Sequence, residues 1–424
     1  MYNLLIKNGK VVTDKDTKHN MDILINDGKI IEIMRNIESD RFYTIDATDK
    51  VVIPGLIDMH CDVCEPGFEY RENLITASHS AARGGFTSIT CNPNTLPTID
   101  NKTVVEYIKS KAEMDSIIHL FPYGSLTKNC LGKEISEYGQ MQLSGIVALS
   151  DGDNPIQENN LVKKIFRYAS MFDMPVIMHC EDTSLSNKSG INEGYMATLL
   201  GLKGFPTIAE TIPLARNILL AKEYNIHLHV THISCSSSVE LIRQAKKQGI
   251  KITAETSPNY FILDESIIDN YNTFGKLSPP LRTKEDINSI LEGLKDGTID
   301  VISSDHKPNT IDSKLLEFEE ASFGMSSFET AFKLAYTYLV ETKILTLNEL
   351  VKKMSINPAN ILGINKGKID CGYDGDLVII DTKICEKINA KEFVSKAKYS
   401  LYDGMTVNTN IVSTIVQGKN YSFT

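Results

Sequence analysis

Between about residues 54 and 365, short apolar runs alternate with amphipathic segments, and this alternation constrains the fold more than any other feature of the chain. It is the signature of βα units wrapped around a parallel sheet, and a stretch of about 310 residues built this way predicts a (β/α)8 barrel with insertions rather than an open sheet. The stretch "TIAETIPLARNILLAKEY" shows the pattern as a helix. Pro206 precedes it, Thr207 and Glu210 have the spacing of a capping box, and Ile208, Ile212, Ala215 and Leu219 share one face.

The two ends of the chain read differently. "YNLLIKNGKVV", "MDILINDGKIIEIM" and "RFYTIDATDKVVIPG" are β-rich runs punctuated by Asn-Gly, Asp-Gly and Asp-Lys, the signal of successive hairpins. "GKIDCGYDGDLVIID" and "NIVSTIVQGKNYSFT" repeat that style at the other end. Strand edges left unpaired are a liability, so the expectation is one small β-sandwich assembled from residues 1–53 and 366–424, with the barrel over 54–365.

A formal net charge of -10 without a concentrated Lys/Arg stripe argues against nucleic acid or an anionic membrane as partner and favours a small-molecule substrate. No run of about 18 apolar residues and no basic-then-apolar leader pattern occurs, so a cytoplasmic protein is expected. The eight cysteines are scattered and read as free thiols. Cys61 and Cys64 form a Cys-x-x-Cys, but they lack the helix N-terminus that activates a redox thiol and a second such pair that would complete a zinc knuckle.

Five apolar runs stop at residues able to bind a metal. "VVIPGLIDMH" leads to His60 and Asp62, "GIVALSD" to Asp151, "MPVIMH" to His179, "IHLHVTH" to His232, and "IDVISSDH" to Asp305 and His306. In a barrel the C-terminal strand ends converge on one face, so these residues become neighbours. Imidazole and carboxylate suit Zn2+ and related ions, and three histidines with three aspartates exceed the needs of one tetrahedral ion; they would suit a pair about 3.5–4 Å apart. His60 and Asp62, two apart in a strand, are expected to face the same side. His227 and His229 do not end their strand and are read as structural, as are His19, His79 and His119.

Beyond these positions the chain resembles the class I dihydroorotases of the amidohydrolase superfamily over nearly its whole length. The strings that carry the resemblance are "PGLIDMHCDVCEPGFEYRE", "AARGGFTSITCNPNTLPTID", "HCED", "GLKGFP", "LHVTHIS", "AETSPNYF", "PPLRTKED", "IDVISSDHKP" and "GYDGDLVIID". It implies a (β/α)8 barrel with a terminal β-sandwich, and one or two Zn2+ ions held by His60, Asp62, Asp151, His179, His232 and Asp305, with Asp151 as the bridging carboxylate. Asp305 is then general base and acid for opening L-dihydroorotate to N-carbamoyl-L-aspartate and for the reverse cyclisation in pyrimidine biosynthesis. Asn94, Ser278, His306, Lys307 and Asn309 fall on the substrate side. A homodimer and an association with aspartate transcarbamoylase are further expectations of the resemblance. So is a Gly-containing loop over the ring, here within "FEEASFGMSSFE".

Four positions depart from the family pattern. Asp62 replaces the second His of His-x-His, Cys64 the Arg of "HLREPG", Ser278 the Asn of "NPPLR", and Asn309 the second His of "DHAPH". In the family that Arg and that second His, together with the Asn retained here as Asn94, grip the substrate carboxylate, and a thiol does not replace a guanidinium fork. Lys307, Arg71 and Arg282 are the candidate replacement cations. Two other readings accommodate the departures: a cyclic amidase of the hydantoinase or allantoinase type, whose substrates need not carry the carboxylate, or a catalytically poor scaffold for a partner such as aspartate transcarbamoylase.

Overall fold

The computed structural model describes residues 3–13, 15–38 and 41–423. The alternating middle of the chain forms eight strands, β1 (Leu56–Asp58), β2 (Phe86–Cys91), β3 (His119–Gly124), β4 (Ala148–Ser150), β5 (Val176–Met178), β6 (Leu228–Val230), β7 (Ile252–Thr256) and β8 (Val301–Ile302). Each pairs in parallel with the next in chain order. The first and last strands then meet through polar groups. Ser304 donates its backbone N–H to Asp58 Oδ1 at 2.9 Å and its hydroxyl to the other carboxylate oxygen, and Asp62 N–H donates to His306 O at 2.8 Å. Asp58 is fully buried, and burial pushes its carboxyl up to about 7 despite the Ser304 bonds. The ring is a (β/α)8 barrel.

Ile57, Met59, Tyr123, Ala148, Ile177 and Val301 fill the barrel interior, joined by Ala359, Ile361 and Leu362 of the helix Asn357–Leu362. A larger apolar cluster lies between the strands and the surrounding helices. One of those helices, Ile208–Tyr224, spans the expected residues but differs in two respects. Thr207 makes no side-chain cap, and Ile208, Ile212 and Leu219 are exposed, whereas Ala209, Pro213, Leu214, Asn217 and Ile218 face inward. The rotation follows Glu210, which turns into the protein to accept from Ser234 N–H and from the Ser234 and Ser238 hydroxyls rather than back toward Thr207. A buried carboxylate that needs three donors outweighs the burial of a second apolar stripe.

Both termini contribute to a second, eight-stranded sheet, joined where Val51–Pro54 pairs antiparallel with Leu377–Asp381. Asp27-Gly28 is a true hairpin turn, with Asn26 paired to Lys29 and both turn residues at positive φ. Asn8-Gly9 is not a turn: Leu4–Val12 is one strand with an irregular register there, because Asn8 N–H donates to Asp22 and its carboxamide to Asp46. A Cβ on Gly9 would come within 2.8 Å of Val52. Nor do Tyr43–Asp46 and Val51–Pro54 form a hairpin, since both lie parallel to that first strand. Met1, Tyr2 and Thr424, the ends of the expected terminal unit, lie outside the described residues. Part of the C-terminal stretch leaves this sheet: Ile388, Phe393, Tyr399 and Tyr402 pack with Leu263, Leu277 and Leu334 on the barrel. Among the described residues no helix is long and apolar enough to cross a membrane.

His119 at the start of β3, Lys366, Asp374 and Asp376 link the barrel to the terminal sheet. Lys366 Nζ lies 2.8 Å from both His119 Nε2 and Asp376 Oδ2 and also contacts Asp374, so an ammonium already fills the centre of this acidic group. Burial opposes the charge of Asp376, yet His119 and Lys366 hold its carboxyl down to about 2. That contribution to stability is complete above the ordinary carboxylate range and is lost as pH falls toward 2. Lys366→Met is expected to cost about 1–3 kcal/mol, because Asp376 then keeps only His119 and the Gln417 N–H and Asp374 only Lys29, and denaturant unfolding near neutral pH measures it.

Candidate metal centre and active site

The C-terminal ends of the barrel strands converge as the topology requires, and three side chains meet with ligand atoms within 4.8 Å of one another: His60 after β1, Asp153 after β4 and His232 after β6. Both imidazole Nε2 atoms lie 3.1 Å from the same oxygen, Asp153 Oδ1, and the two rings are 4.4 Å apart. Two nitrogens and a carboxylate oxygen converging in a buried site are a donor set suited to a zinc-like divalent ion. Lys307 Nζ contacts the other oxygen, Asp153 Oδ2. Burial raises the cost of charge on Asp153, but Lys307, His232 and His60 together hold it ionised well below the usual range.

The sequence expectation places Asp151 here, and the structure places Asp153. Asp151 ends the apolar run, but it faces away from the cluster and accepts from Thr127 N–H at 2.9 Å and from the Thr127 hydroxyl. Burial pushes its carboxyl up to about 6. Gly152 between them has φ +60°, and the chain reversal it allows presents Asp153 to the centre in place of Asp151. The sequence signal was the pair of aspartates flanking a glycine, of which only one can face the axis.

The other expected ligands surround the cluster without all joining it. His179 stands beside His232, ring to ring 5.0 Å, with Nε2 held 3.1 Å from Glu181 and a buried Nδ1 that has no hydrogen-bond partner. Asp305 accepts from Asn259 Nδ2 at 2.9 Å, and burial raises its carboxyl above the usual range. Tyr402, from the C-terminal segment on the barrel, donates to Asn259 Oδ1 at 2.7 Å and so fixes that carboxamide. Asp62 diverges from His60, because β1 ends at Asp58 and strand alternation no longer applies beyond it. Its carboxylate accepts from Asn92 Nδ2 at 3.1 Å and faces Arg71 Nη2 at 3.8 Å. His232 and Asp305 both have positive φ, 24° and 54°, the kind of backbone strain found where surrounding structure over-determines a functional residue.

A further buried residue was missed. Glu255 on β7 is fully enclosed, with Oε2 3.3 Å from His229 Nε2 and Oε1 3.4 Å from His60 Nδ1. It faces the His60 ring from the side opposite Asp153, the place where carboxylates stand behind metal-binding histidines. The available clue was a glutamate in the middle of the strand "ITAET", where a lone charge would be costly to bury.

The expected substrate-side residues divide. Asn94 lies half-buried beside Gly152, on the same rim as Asp153. His306 instead stacks on Phe328 at 3.9 Å, accepts from Ser327 N–H through Nδ1 and sets Nε2 3.6 Å from the buried Glu72, so both ring nitrogens face protein groups. Asn309 donates to Phe323 O at 2.7 Å and ties its own loop. Ser278 is half-buried before the helix Lys284–Asp296 and makes no hydrogen bond to the cluster among the described residues. Arg282 is fully engaged, donating to Ser234, Asn192 and Phe205. Arg71 is the opposite case. Its Nε donates to Pro308 O at 3.0 Å, and its charge is felt by the buried Cys64 thiol, which burial nevertheless drives far up.

Asp153→Ala is expected to abolish divalent-ion retention, whereas Asp151→Ala keeps the ion and loses about 1–3 kcal/mol because the Thr127 donors are left unpaired. Metal analysis with a melting curve for each variant distinguishes the two. An ion retained by folded Asp153→Ala would show that this cluster is not the metal centre.

A family model described as "Dihydro-orotase-like" matches residues 49–238. The chain is 46% identical to the dihydroorotase of Acetivibrio thermocellus over 416 residues, covering 98% of each chain. It is 47% identical to that of Ruminiclostridium cellulolyticum, covering 98% of this chain and 97% of the relative. Among solved structures, an L-hydantoinase (dihydropyrimidinase) from Arthrobacter aurescens superposes with a TM-score of 0.90 at 28% identity, covering 100% of this chain and 96% of that one. Full-length identity at this level, on a barrel of this topology, establishes that the chain belongs to the dihydroorotase family of cyclic amide hydrolases.

Proposed function

We propose that this chain interconverts L-dihydroorotate and N-carbamoyl-L-aspartate with Zn2+ at the His60–Asp153–His232 cluster. The observation that carries the reading is the convergence of two imidazoles on one carboxylate at the barrel mouth, in a chain that matches dihydroorotases from end to end. A divalent ion bound there supplies a Lewis acid for the ring carbonyl and lowers the pKa of water toward neutrality. The rest falls to the protein.

Asp305, raised by burial and oriented by Asn259, takes the proton from the attacking water as the C–O bond forms. It then passes that proton to the ring nitrogen as the C–N bond breaks. Asn94 and Arg71 hold the substrate carboxylate. Arg71 reaches the rim from seven residues beyond Cys64, rests on Pro308 next to Asn309, and so brings a guanidinium to both positions where the family's cationic grips are missing. Its terminal nitrogens make no hydrogen bond among the described residues and Nη2 faces Asp62 at 3.8 Å, so a substrate carboxylate would share this guanidinium with Asp62.

The structural likeness to hydantoinases, with Cys64, Ser278 and Asn309 in place of the usual grips, supports a second reading as a cyclic amidase for rings without a carboxylate. Hydrolysis and cyclisation assays on L-dihydroorotate and N-carbamoyl-L-aspartate decide between them. Activity is expected in the wild type and absent in Asp305→Ala. Arg71→Met is expected to raise KM about tenfold to more than a hundredfold, the equivalent of one lost charge-assisted hydrogen bond, with a smaller change in kcat. Turnover of hydantoin without turnover of L-dihydroorotate would select the second reading.

A further inference from the structure

The Asp153 carboxylate has two cation-facing sides, and they differ. Oδ1 faces the two imidazole nitrogens of His60 and His232, each at 3.1 Å, the geometry of a metal pocket. Oδ2 faces the ammonium of Lys307. In a two-metal centre bridged by a carboxylate, each oxygen binds one ion. Here a side chain stands on the second oxygen.

We propose that Lys307 is a built-in replacement for a second metal ion, so that the chain holds a single divalent ion at His60, His232 and Asp153. The inference rests on reading this cluster as a metal centre. Three observations carry it. The Lys307 ammonium lies in the field of Asp62 and Asp305 as well as Asp153, three carboxylates of the same cavity. The backbone is arranged to bring it there: Lys307 N–H donates to Met325 O at 3.0 Å, and Gly324 at φ +95° passes so close that a Cβ on it would lie 2.6 Å from Lys307 Cβ. An exchange of charge accompanies this. Against the "His-x-His" and "DHAPH" pattern of the family, Asp62 adds one negative charge and Lys307 adds one positive charge in the same cavity.

A lysine in this place has a chemical consequence. An ammonium neutralises Asp153 and can donate hydrogen bonds, but it offers no open coordination position. All Lewis acidity at the centre then comes from one ion, on the His60 and His232 side. Lys307 is thereby a positioning residue for Asp153 and is not available to grip the substrate carboxylate, which leaves that task to the rim.

The test is metal stoichiometry. Chelator-treated full-length protein is titrated with Zn2+ by calorimetry, with bound metal counted by elemental analysis, and separately loaded with Mn2+ for electron paramagnetic resonance. The wild type is expected to bind one ion per chain and to show an uncoupled Mn2+ spectrum. Lys307→Ala and Lys307→Met are expected to admit a second ion with a spin-coupled spectrum, and Lys307→Arg to remain at one. Two ions in the wild type, or one ion in both folded neutral variants, would overturn the proposal. The wild-type count decides even if a variant fails to fold. Wild type that takes up no ion at all overturns the metal-centre reading itself and this inference with it, whereas two ions would overturn only the role of Lys307.

Discussion

The active face exists because the first barrel strand is tied to the last. Ser304 and Asp58, 246 residues apart, meet through a backbone N–H and a hydroxyl on one carboxylate, and Asp62 N–H to His306 O repeats the closure one layer higher. A carboxylate in that position would be costly to bury without donors, and His60 N–H at 3.3 Å supplies another. The tie places Asp305 and Lys307, which follow β8, beside His60, which follows β1. It also explains why Asp305 keeps a left-handed backbone: the residues immediately before and after it are pinned, Ser304 to Asp58 and His306 to Ser327.

Above that tie the site is a balance of buried charge. Asp62, Asp153, Glu255 and Asp305 are carboxylates in a largely enclosed space, and bare carboxylates there would protonate or disrupt the packing. Each is matched differently. Glu255 leans on two imidazoles, Asp153 on two imidazoles and an ammonium, Asp62 on Asn92 and Arg71, and Asp305 on Asn259 and, at 3.5 Å, the Ser257 hydroxyl. Of the four, Asp305 is the one whose carboxyl burial raises in spite of the His232, His60 and Lys307 charges nearby. The terminal segment that packs on the barrel reaches into this arrangement through Tyr402, which holds the Asn259 carboxamide that donates to Asp305.

The barrel, its order and the strand ends that bear the chemistry were readable from periodicity, because each apolar run ends where a strand leaves the core. What was not readable depends on rotation. Asp151 and Asp153 differ by a Gly152 whose φ of +60° decides which carboxylate faces the axis, and no periodicity encodes that sign. The helix Ile208–Tyr224 has two competing stripes, and the choice between them rests with Glu210 and its partners on another element. Asn8-Gly9 looks like a turn because Asn and Gly tolerate positive φ, but a bulge requires the same tolerance. His306 carries the same chemistry as its neighbours in the motif, yet its ring stacks on Phe328 and both its nitrogens face protein groups.

The altered motif positions show where sequence comparison by position reaches its limit. Reading Cys64 in place of an arginine suggests that a guanidinium has left the site, since a buried thiol neither carries charge at neutral pH nor forks toward a carboxylate. Position along the chain and position in space are separate matters, however, and a long side chain decouples them. Arg71 lies one loop further on, after the turn through Glu65, Pro66 and Gly67, and its side chain returns across that loop to Pro308. In the proposed reading, the guanidinium that Cys64 lacks is supplied by Arg71 from the next loop, and recognition at the rim follows the guanidinium rather than the motif position.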